Sequence, residues 1–339
     1  MIVDLRSDTV TKPSKAMMDA MMSAEVGDDV FNEDPTVIML EQKLANMFGH
    51  EAGLFCPSGT MTNQIAINVH TRPGDEVICD VNSHIYNYEG GGIAKNSGVQ
   101  AKLLVGDRGR LNLGQIKDNV NASYDWLTRT SLVSLENTVN KAGGSYYTLK
   151  DLKDISTFCR ANHMKIHLDG ARLFNALVET KENAKDHGAL FDSISICLSK
   201  GLGTPSGSVL LGNKEFIRQS RRARKVFGGG MRQVGFLAAA GIYALEHHIE
   251  RLSEDHQRAK QIGEELKKQS YVSSVLPVDT NIIIFDLTEA ITSEQFIAKV
   301  AEKNIKVVAF GKQTIRMVTH LDFTDEMLEQ LLATLKKIG

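Results

Sequence analysis

The chain has 339 residues, 42% of them apolar, and 28 glycines add about 8% more, the ordinary level for a globular protein with a full core. Thirty-nine basic against 41 acidic side chains leave a net charge of −2, which excludes a global field for nucleic acid or an anionic membrane. Four scattered cysteines (Cys56, Cys79, Cys159, Cys197) without a CxxC pair argue against structural zinc and fit a reducing compartment. The charged start, Met1-Ile-Val-Asp-Leu-Arg-Ser-Asp, lacks the apolar stretch of a signal peptide. The longest apolar run, Phe236–Leu245, is too short to span a bilayer, so a cytoplasmic protein with no membrane or nucleic-acid partner is expected.

In chain order, a helix is predicted over Ser14–Ala24. A second follows Asp34-Pro35, a cap and an N1 proline, with apolar positions Val37, Leu40, Leu44 and Phe48 and a closing Gly49. Strand-length apolar runs then alternate with helices. The strands are Ala52–Cys56, Glu76–Asp80, Ala101–Val105, Leu132–Leu135, Lys165–Leu168, Ser193–Leu198 and Ser208–Leu211; the helices are Thr60–His70, Thr148–His163 and Lys214–Lys225. Such alternation indicates an α/β domain with a mainly parallel sheet. From residue 233 the pattern changes to one long helical stretch, Gln233–Gln269, then Asn281–Asp286, a helix near Ser293–Glu302, Lys306–Val308, Thr314–Val318 and a last helix, Glu326–Lys337. That describes a smaller α+β unit. The expected division is 1–250 and 251–339, lying within a helix, with residues 1–14 contributing to the site of the large domain.

Ligands of open α/β sheets bind beyond the carboxyl ends of the strands, so polar residues after each apolar run come first. Lys200 ends the run Asp192–Ser199 and precedes Gly201-Leu-Gly203. A lysine there is partly desolvated, which favours a neutral, nucleophilic amine, and the glycines leave room for a flat ligand; taken alone it reads more simply as a lysine snorkelling to solvent. Asp169 ends Met164–Leu168, and its buried carboxylate needs either a cationic partner, which Arg172 three residues on can supply, or a pyridinium nitrogen. Pro57-Ser-Gly59-Thr60 joins a strand to a helix whose first amides can hold a phosphate, although a plain capped turn has the same letters. His84 follows a strand, with Glu89 and three glycines beyond it; it is a capping residue, a solvated one, or a ring that stacks and moves protons. The basic cluster Arg218, Arg221, Arg222, Arg224 and Lys225 reads most simply as the solvated face of a helix, and Gly228-Gly-Gly230 as a close chain approach or an anion nest.

Together these signals fall in the order of the aspartate-aminotransferase-like, fold type I pyridoxal-phosphate enzymes. The segments Leu5-Arg-Ser-Asp-Thr-Val-Thr11, Val26-Gly-Asp-Asp-Val30, Leu135-Glu-Asn-Thr138, Asp169-Gly-Ala-Arg-Leu-Phe-Asn175, Leu198-Ser-Lys-Gly-Leu-Gly-Thr-Pro205, Gly228-Gly-Gly-Met-Arg-Gln233 and Arg316-Met-Val-Thr-His320 resemble threonine aldolase motifs along nearly the whole chain. The resemblance implies that Lys200 holds pyridoxal 5'-phosphate as a Schiff base, that Asp169 binds its ring nitrogen and that His84 stacks on the ring. It implies Gly59 and Thr60 for the phosphate, helped by Lys225 and Arg232 from a neighbouring subunit of a homotetramer, and Ser7, Arg172 and Arg316 for a substrate carboxylate. His84 is also the candidate base for the β-hydroxyl proton. The implied reaction is cleavage of L-threonine or L-allo-threonine to glycine and an aldehyde; an aminotransferase or another lyase of the same fold remains the alternative. The family often has histidine where this chain has Val139, and many members have a second histidine near the position of Trp126.

Overall fold

The helix announced by Asp34-Pro35 forms over Pro35–Phe48 in the computed structural model, which describes residues 1–338. Asp34 Oδ1 accepts from the amides of Thr36 and Val37 at 3.1 Å each, and Gly49 closes the helix at φ +70°, where glycine has no Cβ to strain. Val37, Leu40, Leu44 and Phe48 then face the main core, as their spacing requires.

After a two-residue strand, β1 (Val3–Asp4), one sheet collects β2 (Ala52–Cys56), β3 (Asp75–Asp80), β4 (Gln100–Leu104), β5 (Arg129–Glu136), β6 (Lys165–Gly170), β7 (Ser193–Cys197) and β8 (Ser208–Gly212). Their spatial order is β2-β8-β7-β6-β5-β3-β4, parallel except that β8 runs against β2 and β7. Helical crossovers between parallel neighbours account for that direction. The carboxyl ends of β2, β3, β5, β6 and β7 therefore lie along one edge. The inner strands β3, β7 and β8 are buried along their whole length, as a sheet covered on both faces demands.

A second, antiparallel sheet has the order β12-β13-β10-β9, built from β9 (Val272–Val275), β10 (Ile282–Leu287), β12 (Val308–Ala309) and β13 (Thr314–Val318). The short β11 (Ile305–Lys306) instead pairs in parallel with β1, Val3 opposite Ile305. Val3 and Leu5 are thereby buried with Ile283, Phe285, Phe296 and Leu331, and the segment leaving that core, Ser7–Thr11, runs towards the carboxyl edge of the large sheet. The α/β class and the antiparallel C-terminal sheet agree with the sequence pattern.

Several local expectations are corrected. The stretch Gln233–Gln269 is two helices, Gly235–His247 and Leu252–Leu266. His248 leaves the first, and its Nδ1–H donates to the carbonyl of Leu202 at 2.7 Å, so a tertiary bond makes the break; His-Ile-Glu-Arg at 248–251 has ordinary helix composition. The four-residue β9 and the helix Gly92–Ser97 are not foreseen from the sequence because neither spans enough residues to set a period. The basic helix, Lys214–Val226, is only partly a solvated face. Arg224 is buried, paired with Asp29 at 2.7 Å and bonded to the carbonyl of Phe55 at 2.6 Å, and Arg221 pairs with buried Glu41. All four cysteines are buried and free, and among the described residues no helix is long and apolar enough to cross a membrane.

His248→Ala leaves the buried Leu202 carbonyl without its donor. The expected loss is about 1–3 kcal/mol of unfolding free energy, read from urea melts; an unchanged midpoint would mean the helix break forms without that bond.

Candidate active site

Lys200 stands just beyond β7, three residues after Cys197. The turn that carries it is held from both sides: its carbonyl accepts from the amide of Gly203 at 2.8 Å and from Thr11 Oγ1 at 3.4 Å. Gly203 has φ +77°, a conformation that favours glycine, and a Cβ there would also require Leu321 Cδ2, 2.8 Å away, to give way. The side chain enters a cleft of about 510 Å³ lined by Ser7, Thr9, His84, Arg172 and Arg316, with Tyr88 and Phe310 among its walls. Thus one lysine, one histidine, two arginines and the hydroxyls of Ser7 and Thr9, drawn from positions 7 to 316, meet in one place.

The two arginines differ in how far their charge is already answered. Arg172 does not partner Asp169. It is buried in a bidentate pair with Asp8, Nε to Oδ2 and Nη2 to Oδ1 at 2.7 Å each. Burial opposes ionisation of Asp8, but the charge and hydrogen bonds of Arg172, with Lys200 beyond, hold its carboxyl at about 2. Arg316 has no carboxylate within 4.0 Å among the described residues; it donates to Asn140 Oδ1 and to the carbonyl of Arg6, at 3.0 Å each, and lies 4.8 Å from the centroid of the Phe310 ring. Burial, then the charge of Arg172, push it below the usual guanidinium value. Asn140 Oδ1 also accepts from Arg172 Nη1 at 3.4 Å, so a single oxygen sits between both guanidinium groups.

His84 lies on the short helix after β3. Its amide donates to Glu136 Oε2 and its Nδ1 bonds to Glu89 Oε1, at 2.8 and 2.9 Å. Burial opposes protonation of the ring, yet Glu89 and the charge of Asp169 raise its pKa above the ordinary histidine value. Glu136, wholly enclosed, is pushed up to about 7 by burial and by Asp169. Ligand atoms of His84, Glu89 and Asp169 all lie within 4.8 Å of one another. Asp169, at the end of β6, is 2% exposed; its oxygens accept from Asn63 Nδ2 at 2.8 Å and the Ala171 amide at 3.1 Å, and among the described residues no basic nitrogen lies within 4.0 Å.

The other expected residues do not line this cleft. Gly59 and Thr60 open the helix Gly59–His70 beyond β2, where Ser58 Oγ caps the amide of Met61 and the first amides have no carbonyl a turn before them. A Cβ on Gly59 would come within 2.4 Å of Cys197 Sγ, so this helix start is packed directly against the strand that leads to Lys200. Lys225 and Arg232 are not at the cleft of their own chain: Lys225 is exposed, and Arg232 pairs with Asp28 at 2.9 Å. Sequence reasoning missed Asp8, Asn63, Glu136 and Asn140. Asp8 and Glu136 lie inside the family-like segments, which was the one available sign.

The beta-eliminating lyase family pattern matches residues 4–290. Over 335 residues the chain is 41% identical to the low specificity L-threonine aldolase of Escherichia coli K12, covering 98% of each. The chain belongs to the low-specificity L-threonine aldolase family. A probable family member from Arabidopsis thaliana is 39% identical over 343 residues, covering 99% of this chain and 97% of its own. The fold is shared with a threonine aldolase structure from Leishmania major, at TM-score 0.86 and 20% identity over 99% of this chain and 100% of that one.

The site fits the pyridoxal phosphate expected for this family. A buried carboxylate without a cation suits a protonated ring nitrogen, and the glycine start of the Gly59 helix suits a phosphate. The two departures from the family pattern differ in place. Val139 is buried directly after the Glu136-Asn-Thr segment, whereas Trp126 is 77% exposed and stacked on Tyr124, beside Glu76 and Gln100 at the amino ends of β3 and β4. Within one chain, then, position 126 faces away from the cleft.

Asp8→Asn strands Arg172 as a buried charge, and about 3–5 kcal/mol of stability should be lost at neutral pH. Because the folded value of Asp8 is depressed to about 2, its contribution is present above its ordinary value of 3.8 and lost as pH falls through about 2. Urea melts of the two proteins should converge over that acidic window; a constant gap would contradict the pairing.

Proposed function

We propose that the protein cleaves L-threonine or L-allo-threonine, and related β-hydroxy-α-amino acids, to glycine and an aldehyde with pyridoxal phosphate as cofactor. One observation carries the reading: Lys200, His84 and the uncompensated Arg316 share a cleft whose histidine adjoins a buried, cation-free Asp169. The cofactor, when bound, supplies an electron sink for the pair released as the Cα–Cβ bond breaks.

Every other requirement falls to the chain. Lys200 offers its amine for attachment of the cofactor, and Asp169 places a negative oxygen where the ring nitrogen's proton needs one. The amides of Gly59 and Thr60 hold the phosphate. Arg316 binds the substrate carboxylate, Arg172 Nη1 and the Ser7 hydroxyl add donors, and that fork fixes rotation about Cα. Arg172 is a weaker electrostatic anchor than Arg316 because Asp8 already cancels its charge. His84 takes the β-hydroxyl proton at Nε2 while Glu89 holds Nδ1. Tyr88 and Phe310 wall the cleft and limit water. Lys225 and Arg232, remote from their own cleft, serve the phosphate of a neighbouring subunit in a homotetramer. The division near residue 250 into a cofactor-binding unit and a smaller one belongs to the same reading; the second core, with Ala259, Ile262 and Leu266, supports it.

Purified enzyme given threonine should release acetaldehyde and glycine without consuming a keto acid, and Lys200→Ala should abolish release. Loss of the amino group to a keto acid would make it an aminotransferase instead. For wild type, kcat/KM should fall as pH drops through a midpoint above 6.5, the ordinary value from which His84 is raised. That limb should vanish in His84→Phe together with most of kcat, about 100-fold or more; a retained kcat removes the base role. Arg232→Ala should weaken cofactor binding at least about tenfold, as removal of one hydrogen bond to a charged phosphate does. Unchanged affinity counts against a shared site.

A further inference from the structure

Behind the cleft lies a closed chain of hydrogen bonds that the proposed reaction does not use. Asn63 Nδ2 reaches Asp169 Oδ2 at 2.8 Å and Glu89 Oε1 at 2.9 Å; its Oδ1 is 3.1 Å from His167 Nε2. His167 Nδ1 and His70 Nε2 each lie 2.8 Å from Ser193 Oγ. Asn63, His167 and Ser193 are fully buried, while His70 lies nearer the surface, stacked on Phe216 at 4.3 Å between centroids.

We infer that Asn63 is a positioning residue for both carboxylates that serve the cofactor, Asp169 directly and Glu89 through His84, and that His167 locks its amide in the one orientation that does so. This rests on the roles proposed for Asp169 and His84. Donor and acceptor counts enforce it. Ionised carboxylates only accept, so both N–H groups of Asn63 must face Asp169 and Glu89. Its oxygen then faces His167, whose Nε2 must carry the proton. His167 Nδ1 is therefore bare and accepts from the Ser193 hydroxyl, and the Ser193 oxygen accepts from His70 Nε2–H. Every donor in the chain points the same way, towards Asp169. Burial pushes His167 down to about 4 and lowers His70 as well, so both rings are neutral and able to present one donor and one acceptor. A flipped Asn63 amide would aim its oxygen at two carboxylates and its N–H groups at another donor, so the two orientations are not interchangeable. Glu89 is completed by Gln64 Nε2 on its other oxygen at 2.6 Å, which leaves Asn63 as the shared link between the two acids.

The test uses the holoenzyme with 15N-labelled histidine. At neutral pH, His167 and His70 should both appear as the Nε2–H tautomer; a protonated Nδ1 on His167 overturns the assignment, with no variant needed. His167→Gln keeps an N–H close to the Nε2 position and should retain kcat/KM within about threefold. His167→Leu should lose about 10- to 100-fold, the worth of a hydrogen bond to a charged group, and should shift the absorbance of bound pyridoxal phosphate. A folded His167→Leu with the parent spectrum and parent kcat/KM overturns the proposal. Should the unaltered chain take up no pyridoxal phosphate, the cofactor reading fails, while the tautomers still decide the lock.

Discussion

A carboxylate buried without a counter-ion is expensive, and Asp169 is such a group at the centre of the site. Water cannot solvate it, and the guanidinium nearest in sequence is engaged elsewhere, by Asp8. Two neutral donors hold it, enough to orient the oxygens but short of cancelling the charge. Across the cleft, Arg316 is the opposite case, a positive group without a negative one. Among the described residues the site thus keeps Asp169 without a cation and both Arg316 and Lys200 without a carboxylate, and in the proposed function an amino acid joined to a protonated pyridine ring answers the first two. Around them Asp8 is paired with Arg172, and Glu89 with His84.

Strand direction makes that arrangement possible. Because only β8 runs backwards, the ends of β3, β6 and β7 deliver His84, Asp169 and Lys200 to the same edge, and β2 delivers Gly59 beside them. Asp169 lies at the end of a buried strand and the others follow one, so their positions are fixed by core packing instead of by a free loop. The supporting groups come from behind. Asn63 and Gln64 project from the helix after β2, and His167 from inside β6, so the sheet itself supplies the structure on which the acids rest.

Much of this is legible in the amino-acid order. Apolar runs locate the seven strands, and the residue after each run locates Lys200, Asp169, His84 and Gly59. Pairings across hundreds of positions are not legible. Arg172 has two carboxylates to choose from, near Asp169 and distant Asp8, and spacing favours the near one; the bidentate geometry to buried Asp8 decides for the other. Asn140 and Asn63 escape because an amide has no charge or period to mark it, and its importance emerges only when two partners converge. The helix break at His248 escapes for the same reason, being made by a carbonyl 46 positions away.

The small ladder between β1 and β11 has a mechanical meaning. Through it, and through the Val318 amide bonded to the Leu5 carbonyl at 2.9 Å, the first residues ride on the C-terminal unit. Arg316 belongs to that unit, and Asp8, which fastens Arg172, is carried on the same tether. Should the unit swing relative to the large sheet, it would tow the beginning of the chain along, pulling on both guanidinium groups at once. The beginning of the polypeptide is in this sense a drawstring for the two arginines of the cleft.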